Sequence, residues 1–371
     1  AAAICVGGAG AVFWMWVAAF FGMMTNYAEN VLGIYFRRKN SEGEWSGGAM
    51  YYLQDGVGSY SYKDNHGEAT LKKPGKILAV LFCIFTMLAS FGIGSMGQVN
   101  KIVANVAVAF DIKALSSISV FEGVSLYNVI IGVVIMILTA VITLGGVKRI
   151  ASVAEKIVPF MVVLFVAGSL VIIGINYKAI LPAFKAIFVG AFKPEAFVGG
   201  GIGGVIVAMT NGFKRGVFSN EAGLGSSVMV HSNSSVKEPV KQGMWGIFEV
   251  FADTMVVCTM TALVVLTSGG LNGGVFNAKT GEIAAGFTDA TLVGGAFNEV
   301  FSFGIDFGSK FVAIAMFLFA FTTVLGWSHY GSKAWEYLFG AKTTVVFRII
   351  HVITIIFGAV LTSSLAWDIS D

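Results

Sequence analysis

Phe197–Asn211 reads FVGGGIGGVIVAMTN, and the fold turns on how its glycines are understood. Gly199, Gly201 and Gly204 match the G-x-G-x-x-G spacing of a dinucleotide-binding turn. That turn works only between a strand and a helix of a βαβ unit. Here no strand precedes the glycines and no βαβ pattern follows them. The segment therefore reads as an apolar helix, in which five glycines within the six positions 199–204 carry a heavy propensity penalty. Two arrangements accommodate them: very close helix packing, or a helix interrupted at mid-membrane. Non-helical backbone at that depth is tolerated only where it lines a cavity or is buried in protein.

The rest of the chain supplies the membrane context. Its 371 residues are 56% hydrophobic and 12% charged, with a mean hydropathy of +0.81. Soluble domains carry roughly 25% charged residues, so the composition excludes a disordered chain and argues against a soluble enzyme. A net charge of +3, with no basic run interleaved with aromatics, argues against nucleic acid as a partner. Cys5, Cys83 and Cys258 lie in apolar stretches and give neither a disulfide framework nor transition-metal spacing.

A helix needs roughly 20 apolar residues to cross a bilayer. Eight segments qualify: 11–36, 77–110, 126–145, 157–176, 196–213, 243–267, 310–330 and 345–366. The second is too long to cross upright and is expected to tilt or project. These runs are continuous and lack the ~10-residue alternation of barrel strands. Lys and Arg alternate in abundance between successive loops. Loops 37–76, 146–156, 214–242 and 331–344 are the rich ones, which places them in the cytoplasm. The fold class is thus all-α, a polytopic multi-pass membrane protein, with the first visible span running from outside to inside.

Polar groups inside these spans are expensive. Asp253, in the sixth span, costs about 2.5–3.5 kcal/mol on insertion scales. Thr254, Cys258 and Thr261 continue a small polar stripe down the same helix. Asp253 and Thr254 read either as an ion or proton site or as interhelical hydrogen bonding. Gly94, Gln98, Lys101 and Asn105 share one face of the second span, and Gln98 has an amide to satisfy in a polar cavity. In the seventh span Thr323 and Trp327 are one turn apart. The Thr322 and Thr323 hydroxyls read either as ligands suited to a hard cation such as Na⁺ or as a pair bonding back to its own helix. Trp327 reads as a pocket wall or an interfacial aromatic.

Ala1–Gly10 is already apolar and Gly-rich, and Leu365–Asp371 looks like the start of a further segment. Residues 1–371 are therefore expected to form a single transmembrane domain truncated at both ends, without its first helix and its last helices.

Lys214-Arg215-Gly216-Val217-Phe218-Ser219-Asn220-Glu221-Ala222-Gly223-Leu224-Gly225-Ser226 resembles the alanine or glycine:cation symporter family, the sodium:alanine symporters. Further matches are Gly10–Trp16, Gly47–Tyr52, Phe91–Gly94 with Gln98, and Asp253-Thr254 with Cys258-Thr259. The resemblance covers essentially the whole chain. It implies a LeuT-type bundle of two inverted five-helix repeats in the cell (inner) membrane, moving alanine or glycine inward with Na⁺ and using no other cofactor. Carried over by position, it implies a substrate site of Gln98, Ile206, Met209, Thr210, Thr323 and Trp327. It also implies a sodium site at Thr322 and Thr323 with carbonyls of the first helix. The sequence departs from the family at Ala9 and Val228, where prolines are usual, and at Ser95 and Lys101, where Asn and Ser are usual.

Other classes fit less well. A proton-coupled amino-acid permease of the same fold would use Asp253 as carrier. An intramembrane enzyme lacks a Ser/His/Asp set at one depth, because His66 and His231 fall in loops, His329 near a span end, and His351 alone. Lys214–Ser235 reads either as an inner gate packed under the site or as a solvated loop.

Overall fold

The computed structural model describes residues 1–57, 61–63, 69–71, 74–121, 124–192, 202–270, 274–277, 283–284, 286–287, 289–301 and 306–361. In chain order its helices begin with α1 (Ala2–Gly7), α2 (Gly10–Phe36), α3 (Ala49–Tyr52), α4 (Pro74–Phe91) and α5 (Gly97–Ala109). They continue with α6 (Lys113–Ser116), α7 (Leu126–Thr143), α8 (Gly146–Ile175), α9 (Ile180–Phe192) and α10 (Ile202–Asn220). Then come α11 (Ser227–His231), α12 (Pro239–Val250), α13 (Thr259–Leu266), α14 (Asp289–Val300), α15 (Phe307–Phe339) and α16 (Thr344–Val360). Among the described residues, the β-structure is short two-stranded hairpins such as Arg38–Lys39 with Trp45–Ser46, and one isolated bridge between Phe276 and Ile283.

Among the described residues, seven helical stretches are long and apolar enough to cross a membrane: Gly10–Phe36, Pro74–Ala109, Leu126–Thr143, Gly146–Ile175, Pro239–Leu266, Phe307–Phe339 and Ala341–Val360. The expected span 196–213 corresponds to α10, which starts at Ile202 and carries Lys214 and Arg215 in its last turns. Gly203 and Gly204 lie within this unbroken helix, so the chain is not interrupted there. Gly199–Gly201 lie outside the described residues.

Close packing explains the small residues that follow. A Cβ on Gly212 would stand 2.6 Å from the Ala11 carbonyl oxygen, and one on Gly216 would stand 3.1 Å from Ala18 Cβ. Ala208, Gly212 and Gly216 recur at four-residue spacing, so one face of α10 lies backbone-close on α1 and α2.

Two expected loops prove helical. Residues 146–156 begin α8, whose Lys148, Arg149, Glu155 and Lys156 continue the helix with no breaker between them. Residues 331–339 complete α15, and Lys333 is 2% exposed rather than solvated. Its ammonium donates to Glu336 Oε2 at 3.0 Å and to the Trp45 carbonyl at 3.3 Å, which is what permits its burial.

Two of the long helices pass through π turns, Gly92–Met96 between α4 and α5, and Phe251–Cys258 between α12 and α13. α15 packs antiparallel to α4–α5. Ala79 and Cys83 cluster with Ala334, Gly94 meets Trp327, and Val99, Ile102 and Val103 cluster with Ala320, Phe321 and Val324. A second unit forms around α2, with α10 and α12 against it. A third core, built on Phe165, Val264, Leu292, Phe297 and Val312, ties α8, α13, α14 and α15 together.

Candidate functional site

The tightest interhelical approach at the predicted site joins Gly94 to Trp327. A Cβ on Gly94 would stand 2.4 Å from Trp327 Cβ, so only glycine lets the indole lie against the π turn. One turn further along each antiparallel helix stand Gln98 and Thr323, both half-buried. Gln98 Nε2 donates to the Ile93 carbonyl at 3.3 Å, an oxygen five residues back that the π turn turns toward it.

Thr322 donates its hydroxyl hydrogen to the carbonyls of Leu318 and Phe319, at 3.0 and 2.9 Å, and Thr323 to Phe319 at 3.0 Å. Each hydroxyl has one hydrogen, so both oxygens keep lone pairs with which they could meet a cation.

Ile206, Met209 and Thr210 are elsewhere. They lie on α10, whose principal neighbours are α1, α2, α9 and the 251–258 π turn. Ile206 is 52% exposed, Thr210 is exposed and Met209 is half-buried. The structure thus brings Gln98, Thr323 and Trp327 together, and leaves Ile206, Met209 and Thr210 on the open side of a different helix.

The α10 segment reaches α15 only past its end, eleven residues or ~16 Å of helix beyond Thr210. There Trp327 Nε1 donates to Glu221 Oε1 at 3.0 Å. Glu221 Oε2 accepts from Ser226 Oγ at 2.6 Å, with the Tyr330 hydroxyl nearby. Glu221 has φ 56°, the only non-glycine residue with positive φ among those described, a backbone state costing about 1–2 kcal/mol. Sequence reasoning passed over Glu221 and Tyr330. The signal was an acid set between the end of an apolar helix and the pair Gly223 and Gly225, whose φ values are 89° and 69°.

Asp253 and Thr254 form a separate polar knot. Asp253 Oδ2 accepts from Ser219 Oγ at 2.8 Å and from Thr254 Oγ1 at 2.9 Å, and Asn220 Nδ2 donates to Thr254 Oγ1 at 3.1 Å. These bonds join the end of α10 to the 251–258 π turn.

A cavity of about 690 Å³ opens at the far ends of α5 and α15, lined by Val108, Thr291, Asn298, Glu299 and Ser309 among others. Burial raises the Glu299 carboxyl above its ordinary value, against the opposing pull of the backbone N–H groups of Val275 and Gly269.

The chain matches the model of the sodium:alanine symporter family over residues 1–371. It is 41% identical over its whole length to the sodium/alanine symporter AgcS of Methanococcus maripaludis, 73% of which is covered. It is 32% identical over its whole length to the amino-acid carrier protein AlsT of Bacillus subtilis, with 69% of that protein covered.

Proposed function

Because the chain belongs to the sodium:alanine symporter family, we propose that it carries alanine or glycine inward with Na⁺ by alternating access across the cell membrane. Residues 1–371 act as one transmembrane domain of inverted-repeat, LeuT-type architecture in this reading. The observation that carries the site is the seating of Trp327 on Gly94, with Gln98 and Thr323 one turn away on the facing helices. An aromatic wall beside an amide and a hydroxyl suits a small zwitterion with almost no side chain. One additional methylene changes such selectivity by only ~1–3 kcal/mol, so alanine and glycine share the pocket.

Ile206, Met209 and Thr210, which here lie on α10 away from Trp327, enter the pocket in this reading only in a conformation that brings α10 across to α15. Na⁺ takes the lone pairs of Thr322 and Thr323 as part of an oxygen shell completed by backbone carbonyls. Inward coupling draws on the membrane potential, which supplies ~2.3 kcal/mol per charge per 100 mV.

The test is uptake of radiolabelled alanine into proteoliposomes holding the full-length protein, with and without a Na⁺ gradient at fixed pH. Wild type requires Na⁺, and Trp327→Ala and Gln98→Ala each lose most of the flux while still inserting. Uptake indifferent to Na⁺ overturns the coupling, and unchanged uptake in both variants overturns the site.

A further inference from the structure

Residues 221–236, between α10 and α12, are held unequally by the two sides they bridge. On the side of α2 and α12 the bonds are numerous. Glu29 accepts from the backbone N–H groups of Gly223 and Gly225, at 3.2 and 3.1 Å. Arg37 donates to the carbonyls of Ser232, Ser234 and Val236, at 3.0, 2.5 and 2.7 Å. Ser227 Oγ donates to Asn26 Oδ1 at 3.0 Å, and His231 Nε2 meets Glu249 Oε2 at 2.9 Å.

On the side of α15 the hydrogen bonds are fewer. Glu221 accepts from Trp327, Asn233 Nδ2 meets His329 Nε2 at 3.0 Å, and the buried Met229 packs with Ala79, Cys83 and Ala334. The segment thus has more hydrogen bonds to α2 and α12 than to α15, so a separation of the two sides would break the α15 set first. The bond that then breaks is the one that fixes the ring plane of Trp327, because Nε1 is the only hydrogen-bonding atom of that side chain.

We propose that Glu221 is a positioning residue for Trp327: it locks the indole against Gly94 while the cytoplasmic side is shut, and releases it as that side opens. The positive φ of Glu221 fits this role. It turns the chain sharply at the end of α10, so the carboxylate points across to α15 instead of along its own helix axis. Tyr330 supports the arrangement from the other face. It stacks edge-on to Trp327, with ring centroids 5.3 Å apart. This inference rests on the reading of Trp327 as a wall of the substrate pocket.

The experiment measures KM and kcat for Na⁺-driven alanine uptake by the full-length protein carrying Glu221→Ala, Glu221→Gln, Trp327→Phe, Trp327→Ala and the pair Glu221→Ala with Trp327→Phe. Glu221→Ala raises KM about tenfold or more, as loss of a buried hydrogen bond requires, with kcat held within about twofold. Glu221→Gln keeps an acceptor oxygen and stays within about threefold of wild type. Phenylalanine has no N–H to hold, so adding Glu221→Ala to Trp327→Phe changes KM by less than about twofold.

If Trp327→Ala raises KM while Glu221→Ala does not, the positioning role is overturned and the pocket stands. It is equally overturned if the effects of Glu221→Ala and Trp327→Phe multiply. If Trp327→Ala leaves KM unchanged, the pocket itself has failed. Should Glu221→Ala not reach the membrane, Glu221→Asp, one methylene short of the indole, replaces it under the same criteria.

Discussion

Gly94 and Trp327 touch backbone to ring. A methyl group in place of the Gly94 hydrogen would lie 2.4 Å from Trp327 Cβ and 2.5 Å from its Cγ. Gly94→Ala must therefore push α15 away or turn the indole, and overpacking of this kind costs about 1–3 kcal/mol. The expected outcome is normal insertion with alanine uptake reduced about tenfold or more, checked by flux normalised to the amount of protein in the vesicles. Unchanged flux would show that the contact does not shape the pocket.

Asp253 spends one oxygen on two donors, Ser219 and Thr254, which fasten the end of α10 to the 251–258 π turn. Asp253→Asn keeps an acceptor and is expected to retain Na⁺-dependent uptake at every pH. Asp253→Ala strands both donors and lowers stability by about 1–3 kcal/mol. A melting temperature in detergent reads the second effect. Loss of pH response together with loss of uptake in Asp253→Asn would instead make this residue a proton carrier.

Breaking the buried pair of Lys333 and Glu336 leaves an ammonium that is 2% exposed without its carboxylate. Glu336→Ala is expected to cost about 3–5 kcal/mol, whereas replacing both residues with Met and Leu should recover much of that loss. Thermal unfolding of the two variants side by side makes the comparison.

Arg37 binds the Ser232, Ser234 and Val236 carbonyls in the turn after α11, and lies 4.1 Å above the Trp45 ring. Lysine has a point charge and no planar fork, so Arg37→Lys cannot serve three carbonyls and a ring together. The expected result is faster cleavage within 221–236 by a protease added from the cytoplasmic side, while the spans stay resistant.

Most spans were legible in the sequence because a bilayer demands a long apolar run and little else can supply one. Their ends were less so. Residues 146–156 look like a loop through Lys148, Arg149 and Lys156, yet charged residues also continue a helix into water when nothing breaks it. α9 escaped notice because its 13 residues are too few to cross. Gln98, Thr323 and Trp327 stood out as costly or bulky groups within spans. Their grouping came from the family resemblance alone, because Gly94 and Trp327 are far apart in the chain and no local pattern records which helices face each other. Glu221 was hidden for a different reason: a carboxylate beside Lys214 and Arg215 looks solvated until the ring it binds is in view.

The π turn at Gly92–Met96 amounts to one residue more than an α-helix would use for the same rise. Excising a single residue there would restore ordinary winding and swing everything downstream by ~100° about the helix axis. Gln98 would then turn away from Thr323, and Val99, Ile102 and Val103 would leave the ridge of α15 they now grip. The aim of an entire half-helix thus depends on one surplus amino acid, and a one-codon deletion at this point should prove more damaging than most substitutions along the same span.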